Sequence, residues 1–127
     1  MYQWNWKNKV CIITGGRSGI GLEFVKSVLS RGAKCLIADM NFKLGEKYEQ
    51  QFQNEFGKEF VAYMRVDVSS NENFEAAFEQ CLKLFGTIDI LVNSAGINGE
   101  INWETQLQVN LFVSFYNHYT SFLRVIT

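Results

Sequence analysis

The sequence predicts a doubly wound parallel α/β sheet, and three observations support that prediction. Short apolar runs alternate along the chain with longer segments in which apolar residues recur at helical spacing. A glycine-rich stretch separates the first apolar run from the first helical segment. No linker, internal repeat or low-complexity tract interrupts the pattern. Because strands that alternate with helices pair in parallel through right-handed crossovers, we expect one α/β domain over residues 1–127.

Four apolar runs fit strands that are covered on both faces of a sheet, and they span residues 9–14, 34–39, 60–68 and 88–93. Four segments have helical periodicity: 20–31, 44–56, 69–85 and a last one from Trp103 into the C-terminus. We expect Gly32 and Gly57 to end the first two helices. Ser69 and Glu72 have the spacing of a capping box that opens the third.

Composition excludes several classes of function. A formal net charge of −1 gives no electrostatic reason to bind nucleic acid or an anionic membrane. No apolar run is long enough to cross a bilayer, and the first ten residues lack the apolar core of a signal peptide. His118 is the only histidine, so a multi-histidine metal site cannot form, and we expect no metal. The cysteines, Cys11, Cys35 and Cys81, are odd in number and unclustered, which favours buried free thiols and a cytoplasmic protein.

The stretch TGGRSGIG, residues 14–21, has the composition of a phosphate-binding loop. Gly15 lets the chain turn out of the strand, Gly19 lets backbone approach a pyrophosphate, and Gly21 lets the helix close onto the sheet. The helix N-terminus adds unpaired N–H groups and the positive end of its dipole. We therefore expect the loop to bind a dinucleotide. The loop residues assigned to that site are Gly15, Arg17, Ser18, Gly19, Ile20 and Gly21.

An acidic residue, Asp39, ends the second predicted strand, and Met40 beside it is assigned to the same site. A carboxylate at this position accepts hydrogen bonds from both ribose hydroxyls of an adenosine and repels a 2′-phosphate, which favours NAD. The alternative is that Asp39 caps the next helix. Arg17 could pair with a 2′-phosphate, so NADP stays open as the less favoured cofactor.

The spacing Gly-x-x-x-Gly-x-Gly resembles the hallmark loop of the short-chain dehydrogenase/reductase family, whose cofactor domain has a Rossmann-type fold. Further motifs match in order along the chain. The Asp-Val pair resembles the family's adenine contact, and NSAG resembles its Asn-Asn-Ala-Gly, with serine in place of the second Asn. The residues that this resemblance adds to the cofactor site are Asp67, Val68, Asn93, Ser94, Ala95 and Gly96.

The triplet VNL contains Asn110, which matches the Asn of the family's Asn-Ser-Tyr-Lys tetrad and is our one catalytic candidate. The alternative is that Asn110 is a polar residue that hydrogen-bonds backbone within a helix.

The stretch GINGEINWETQLQVNL, residues 96–111, is similar to NAD-dependent 15-hydroxyprostaglandin dehydrogenases and their insect alcohol-dehydrogenase-like relatives. The resemblance implies hydride transfer between NAD and a small alcohol or ketone. A methyltransferase-type domain would also carry a glycine loop and a strand-end acid, but it does not predict NSAG and VNL.

The rest of the family's tetrad has no match in this chain. None of the five tyrosines is followed by a lysine four residues later. A phenol needs such a cation nearby to act as a base at neutral pH. We therefore expect the 127 residues to bind cofactor without catalysing the reaction, either as the cofactor-binding part of a longer dehydrogenase (a fragment or incomplete gene model) or as a non-catalytic nucleotide-binding partner subunit.

A sheet that is truncated after about four strands and the following helix has a packing consequence. With strand order 3-2-1-4, the run from Ile88 to Val92 is expected at an open sheet edge. The last helix is expected to lose part of its cover, and in the family that helix contributes to a dimer interface. We therefore expect a marginally stable chain that forms homo-oligomers through the last helix.

Overall fold

A computed structural model describes residues 5–15, 19–67, 70–93 and 124–126. The strands are β1 (Val10–Thr14), β2 (Lys34–Asp39), β3 (Val61–Arg65), β4 (Ile90–Asn93) and β5 (Arg124–Ile126). The helices are α1 (Gly19–Ser30), α2 (Phe42–Phe56) and α3 (Asn71–Phe85). The sequence predicts each of the first four strands and first three helices, but it extends β3 and β4 beyond their observed ends.

The sheet is parallel and has the order β3-β2-β1-β4-β5. The predicted order of the first four strands is confirmed. The expectation of an open edge at β4 is wrong, because β5 pairs with it through the register Ile90↔Arg124 to Val92↔Ile126. These three residues also show that the predicted last helix does not continue to the C-terminus; its residues 103–123 lie outside the described part of the chain.

The central strand β1 is buried on both faces, which explains its unbroken apolar sequence. Val10 and Ile12 face a layer that contains α3, with Phe74 and Phe78. Cys11 faces the opposite layer, which contains residues of α1 and α2. Helices therefore cover both faces of the sheet, as the doubly wound prediction requires.

The helix ends are mostly where the sequence places them. Gly32 follows α1 with a φ of +85°, and Gly57 is the C-cap of α2. The capping box at Ser69 is wrong: the N-cap of α3 is Ser70, whose side chain accepts a hydrogen bond from the Asn73 N–H. Two adjacent serines have the same capping chemistry, so their spacing to the helix alone does not decide between them.

The outer edge of β3 is covered by two side chains of α2. The Glu49 carboxylate accepts a hydrogen bond from the Tyr63 backbone N–H. One turn along the helix, the Gln53 amide donates to the Val61 carbonyl at 3.0 Å. Backbone groups that would otherwise be open to strand addition are therefore satisfied within the chain.

The three cysteines are free and buried, as predicted. Burial raises the pKa of Cys11 and of Cys81 to about 12, with the charge of Asp89 adding to both. The pKa of Cys35 is also raised, first by burial and then by its two neighbouring thiols. Among the described helices, none combines the length and the apolar character that a membrane crossing requires.

Candidate functional site

The carboxyl ends of the strands bring the predicted site residues to one edge of the sheet. Thr14, the last residue of β1, is in register with Ala38 on one side and with Asn93 on the other. Asp39 follows Ala38 and is in register with Arg65 of β3. In parallel α/β sheets this edge is where ligands bind. The loop after β1 and the acid that ends β2 therefore share an edge.

Gly15 begins the glycine loop with a φ of +70°, a conformation that costs other residues roughly 1–2 kcal/mol. Its N–H donates to the Ala38 carbonyl at 2.9 Å. The Thr14 hydroxyl donates to the Val92 carbonyl at 3.4 Å. The turn out of β1 is thus held to both neighbouring strands, which agrees with the role that the sequence predicts for Gly15.

The far side of the loop is the start of α1, which begins at Gly19 and includes Ile20. Gly21 is buried in the first turn of this helix. Because α1 begins at Gly19 and follows a parallel strand, its first N–H groups and the positive end of its dipole lie at the same edge. This is the local geometry that an anionic group such as a phosphate needs.

Asp39 is 8% exposed and is therefore a buried acid at this edge. Its carboxylate accepts a hydrogen bond from the Asn41 N–H at 2.8 Å. The N-cap of α2 is Asn41, whose side-chain oxygen accepts from the Leu44 N–H at 3.1 Å. The alternative assignment of Asp39 as the helix cap is therefore wrong, because Asn41 fills that position.

The next residues present apolar surface beside this acid. Met40 and Phe42 are each 53% exposed, and with Leu84 they are the large exposed hydrophobic side chains of the described chain. A buried carboxylate flanked by exposed apolar side chains suits a ligand that has a hydroxylated part and a flat apolar part. A nucleoside has both.

Tyr63 belongs to this site, although no sequence motif includes it. Its hydroxyl donates to the Asp39 backbone carbonyl at 2.8 Å. Its ring lies against Gly45, where an added Cβ atom would overlap the ring carbons. The available signal is Gly45 itself, since a glycine inside an amphipathic helix indicates a close approach by another group.

Asp67 continues the edge beyond β3. Its backbone N–H donates to the Asn73 side chain at 3.4 Å, and its carbonyl accepts from the Ser70 N–H at 3.0 Å. The preceding residue, Val66, donates its N–H to the Asp39 carbonyl at 3.1 Å. The backbone therefore links the predicted adenine-contacting residue to the predicted ribose-binding residue.

Several predicted site residues lie outside the described residues. They are Arg17, Ser18, Val68, Ser94, Ala95, Gly96 and Asn110. Asn93 is placed by its backbone at the end of β4. In the part of the chain that the structure describes, no group of His, Cys, Asp and Glu residues could hold a metal ion.

An open groove of about 470 Å³ lies elsewhere, between α1 and α2. Its lining includes Glu23, Ser27, Glu55 and the aromatic Phe56. None of the carboxyl-edge residues lines it. The groove is therefore separate from the candidate site.

Comparison with known proteins places these features in a family. The family model for short chain dehydrogenases matches residues 9–125. The 15-hydroxyprostaglandin dehydrogenase (NAD(+)) of Bos taurus is 38% identical over 103 residues, which cover 81% of this chain and 39% of that protein. The Homo sapiens enzyme of the same name is 36% identical with the same coverage. The chain therefore spans about two fifths of the length of these relatives.

Solved structures give the same result for the fold. A short chain dehydrogenase/reductase from Burkholderia phymatum, in complex with NAD, superposes with a TM-score of 0.72 at 29% identity. That match covers 80% of this chain and 36% of the other. A second short-chain dehydrogenase structure, from Novosphingobium aromaticivorans, also has a TM-score of 0.72 at 29% identity, and that match covers 93% of this chain and 45% of the other. The Rossmann-type fold that the sequence predicts is confirmed.

Proposed function

We propose, because the chain belongs to the short chain dehydrogenase family of oxidoreductases, that it binds NAD at the carboxyl edge of its sheet. The observation that supports this most directly is the placement of Gly15 and Asp39 on adjacent strand ends. The glycine turn and the α1 N-terminus suit a pyrophosphate, and the buried carboxylate suits two ribose hydroxyls. NAD would supply the hydride acceptor of the reaction.

The division of roles follows from the chemistry of each group. Gly15 lets the chain turn out of β1, Gly19 lets backbone approach the pyrophosphate, and Gly21 lets α1 close onto the sheet. Arg17, Ser18 and Ile20 belong to the same loop. Asp39 accepts from the ribose hydroxyls, and Met40 offers apolar surface beside it. The remaining proposed cofactor contacts are Asp67, Val68, Asn93, Ser94, Ala95 and Gly96. A negative charge that is 8% exposed disfavours a 2′-phosphate at this position, which is why we propose NAD rather than NADP.

The substrate class is a secondary alcohol, with a hydroxyprostaglandin-like molecule as the specific candidate. Support comes from the names of the two curated relatives. We propose that Asn110 takes part in that chemistry. The 127 residues contain no Tyr-x-x-x-Lys, so we propose that they hold NAD without turning over substrate.

A second candidate function is a nucleotide-binding partner subunit without catalysis of its own. The 127 residues combine a nucleotide-binding edge with no Tyr-x-x-x-Lys, which suits this candidate as well as the first. We further propose homo-oligomers formed through residues 103–123. We also propose a cytoplasmic location, because three buried free thiols suit a reducing compartment.

Calorimetric titration of the 127-residue chain with NAD and with NADP tests the proposed function. We expect NAD to bind more tightly, and Asp39→Asn to weaken NAD by about 10- to 100-fold, because hydrogen bonds to a charged acceptor are replaced by weaker ones. Glu79→Gln, the same change at an exposed site on α3, is the matched control and should leave the NAD affinity unchanged. A wild-type chain that binds neither nucleotide, or an Asp39→Asn variant with wild-type affinity, contradicts the proposal.

A second assay addresses turnover. The chain is incubated with NAD and a secondary alcohol, and formation of NADH is followed by its absorbance. We expect none above the rate without protein. Turnover that survives purification to a single species would contradict the non-catalytic part of the proposal and leave NAD binding standing.

A further inference from the structure

We propose that Tyr63 is a positioning residue that locks the turn between β2 and α2 and so makes the site selective for a ribose with a free 2′-hydroxyl. This inference rests on the proposed NAD site, because it concerns how Asp39 is held there. Nothing in the family resemblance assigns a role to a tyrosine at this position. The argument comes from the contacts of its side chain.

Tyr63 contacts the turn at three successive points. Its hydroxyl donates to the Asp39 carbonyl at 2.8 Å. Its ring centroid lies 6.5 Å from that of Phe42, at an interplanar angle of 60°. Its ring edge rests on Gly45, where no Cβ atom would fit. One side chain on β3 therefore fixes the end of β2, the first residue of α2 and the first turn of that helix.

The same turn is also held from within. The Asp39 carboxylate accepts from the Asn41 N–H, and the Asn41 carbonyl accepts from the Gly45 N–H at 2.9 Å. The Asp39 carbonyl accepts a second hydrogen bond, from the Val66 N–H at 3.1 Å. Fixing the carbonyl of Asp39 restricts the rotation of its peptide, and this rotation would carry the carboxylate away from Asn41.

This restriction matters for the choice between the two nucleotides. The N-terminus of a helix attracts an anion through its N–H groups and its dipole. At the start of α2, the Asp39 carboxylate already occupies the Asn41 N–H. A 2′-phosphate would need that negative charge to move away, whereas a ribose hydroxyl needs it to stay. A rigid turn therefore favours NAD, and a loosened one lowers the penalty against NADP.

The hydroxyl is suited to this role as a permanent donor. Partial burial raises the pKa of Tyr63 above its usual value, and the negative charge of Asp39 raises it further. The phenol therefore stays protonated throughout the neutral range and keeps donating to the Asp39 carbonyl. A phenylalanine would fill the same space beside Gly45 but would leave that carbonyl with one donor fewer.

Tyr63→Phe tests the inference, with Tyr48→Phe as the matched control. Tyr48 lies on α2, the helix that the Tyr63 ring contacts, and stacks on Phe52 with ring centroids 6.0 Å apart. Its hydroxyl does not make the hydrogen bond to the Asp39 carbonyl that Tyr63 makes. For Tyr63→Phe we expect the ratio of NAD to NADP affinity to fall about three- to tenfold, the range that one neutral hydrogen bond gives. Tyr48→Phe should keep the wild-type ratio.

A second readout needs no cofactor. Hydrogen exchange of the Asn41 and Leu44 amides in the nucleotide-free chain should be several-fold faster in Tyr63→Phe than in Tyr48→Phe. If Tyr63→Phe fails to fold, Gly45→Ala is the substitute test. It keeps the Tyr63 hydroxyl but displaces the Tyr63 ring, and it should also lower the ratio of NAD to NADP affinity. If the folded variants bind NAD with an unchanged ratio of NAD to NADP affinity, the proposed role of Tyr63 is overturned and the proposed NAD site stands. A wild-type chain without NAD affinity overturns the proposed function and this inference together.

Discussion

Val10 and Asp89 are joined by two reciprocal hydrogen bonds at the amino end of the sheet. The Val10 N–H donates to the Asp89 carboxylate at 2.9 Å, and the Asp89 N–H donates to the Val10 carbonyl at 2.9 Å. The pair joins the start of β1 to the residue just before β4. Val10 is buried, so its N–H has no access to water as a substitute partner.

Asp89→Ala should therefore lower the free energy of unfolding by about 1–3 kcal/mol, because it leaves the Val10 N–H without this acceptor. Asp89→Asn keeps an oxygen in place and should cost less than half as much. Urea titration followed by circular dichroism measures both. Equal losses in the two variants would mean that the charge of Asp89, and not its hydrogen bond, stabilises the sheet.

The cover of the β3 edge predicts a change in association. The double variant Glu49→Ala/Gln53→Ala exposes the Tyr63 N–H and the Val61 carbonyl, and should self-associate at lower concentration than the wild type. The control is Glu46→Ala/Gln50→Ala, which removes the same two residue types at the same spacing from exposed positions of α2. Sedimentation velocity over a concentration series compares the two. If they associate alike, the two side chains do not protect this edge.

Gly45→Ala should destabilise the chain although alanine is the better helix former. Alanine normally gains about 1 kcal/mol over glycine inside a helix. Here the new Cβ would overlap the Tyr63 ring, and overpacking typically costs about 1–3 kcal/mol. In a Tyr63→Ala background the same change should become stabilising. Thermal and urea unfolding of the four proteins give this cycle, and an effect of the same sign in both backgrounds would argue against the contact.

The buried thiols predict a loss of stability at alkaline pH. Folded Cys81 has a pKa raised to about 12, so the unfolded chain, with an ordinary pKa near 9, releases this proton first. The stabilisation is complete below pH 9 and is lost as the pH rises toward 12. Between pH 8 and 10 the titration of this thiol should lower the free energy of unfolding by about 1 kcal/mol.

Urea titrations at several pH values measure this slope, and Cys81→Ala should make it shallower by that amount. Val28→Ala, another buried truncation, should shift the curve without changing its slope. If the free energy of unfolding falls equally steeply with pH in the wild type and in Cys81→Ala, the Cys81 thiol does not cause the loss of stability.

The hydrophobic pattern predicts the first four strands and the covering of both faces of the sheet, and glycine placement predicts the turn at Gly15. Continuous apolar runs mark the strands, and a period of 3.6 residues marks the helices. The order of β1 to β4 is not visible in these patterns and follows from the doubly wound fold and the family resemblance. The sequence predicts the N-cap of α3 one residue early, because Ser69 and Ser70 have equivalent side chains. It does not predict β5, because a strand of three residues carries almost no periodicity.

The part of the site that the sequence did not reveal depends on contacts between distant elements. The position of Asp39 at a strand end predicts its role. Its hydrogen bond with Tyr63 forms only because β3 lies beside β2 and the Tyr63 ring packs against Gly45 of α2. The same applies to Glu49 and Gln53 against the β3 backbone. Such partners are set by packing. Gly45 marks a close approach to α2 in the sequence, but it does not identify the residue that makes it.

The central position of β1 has a consequence for synthesis of the chain. Val10 leaves the ribosome early, yet its partner Asp89 follows 79 residues later. Until that residue and β4 emerge, one side of the most apolar strand has no neighbour within its own chain. Pairing over such long separations is slow, and it leaves apolar backbone open to other molecules. The nascent chain should therefore depend on chaperone cover until β4 has emerged from the ribosome, and folding there should begin with β1, β2 and α1.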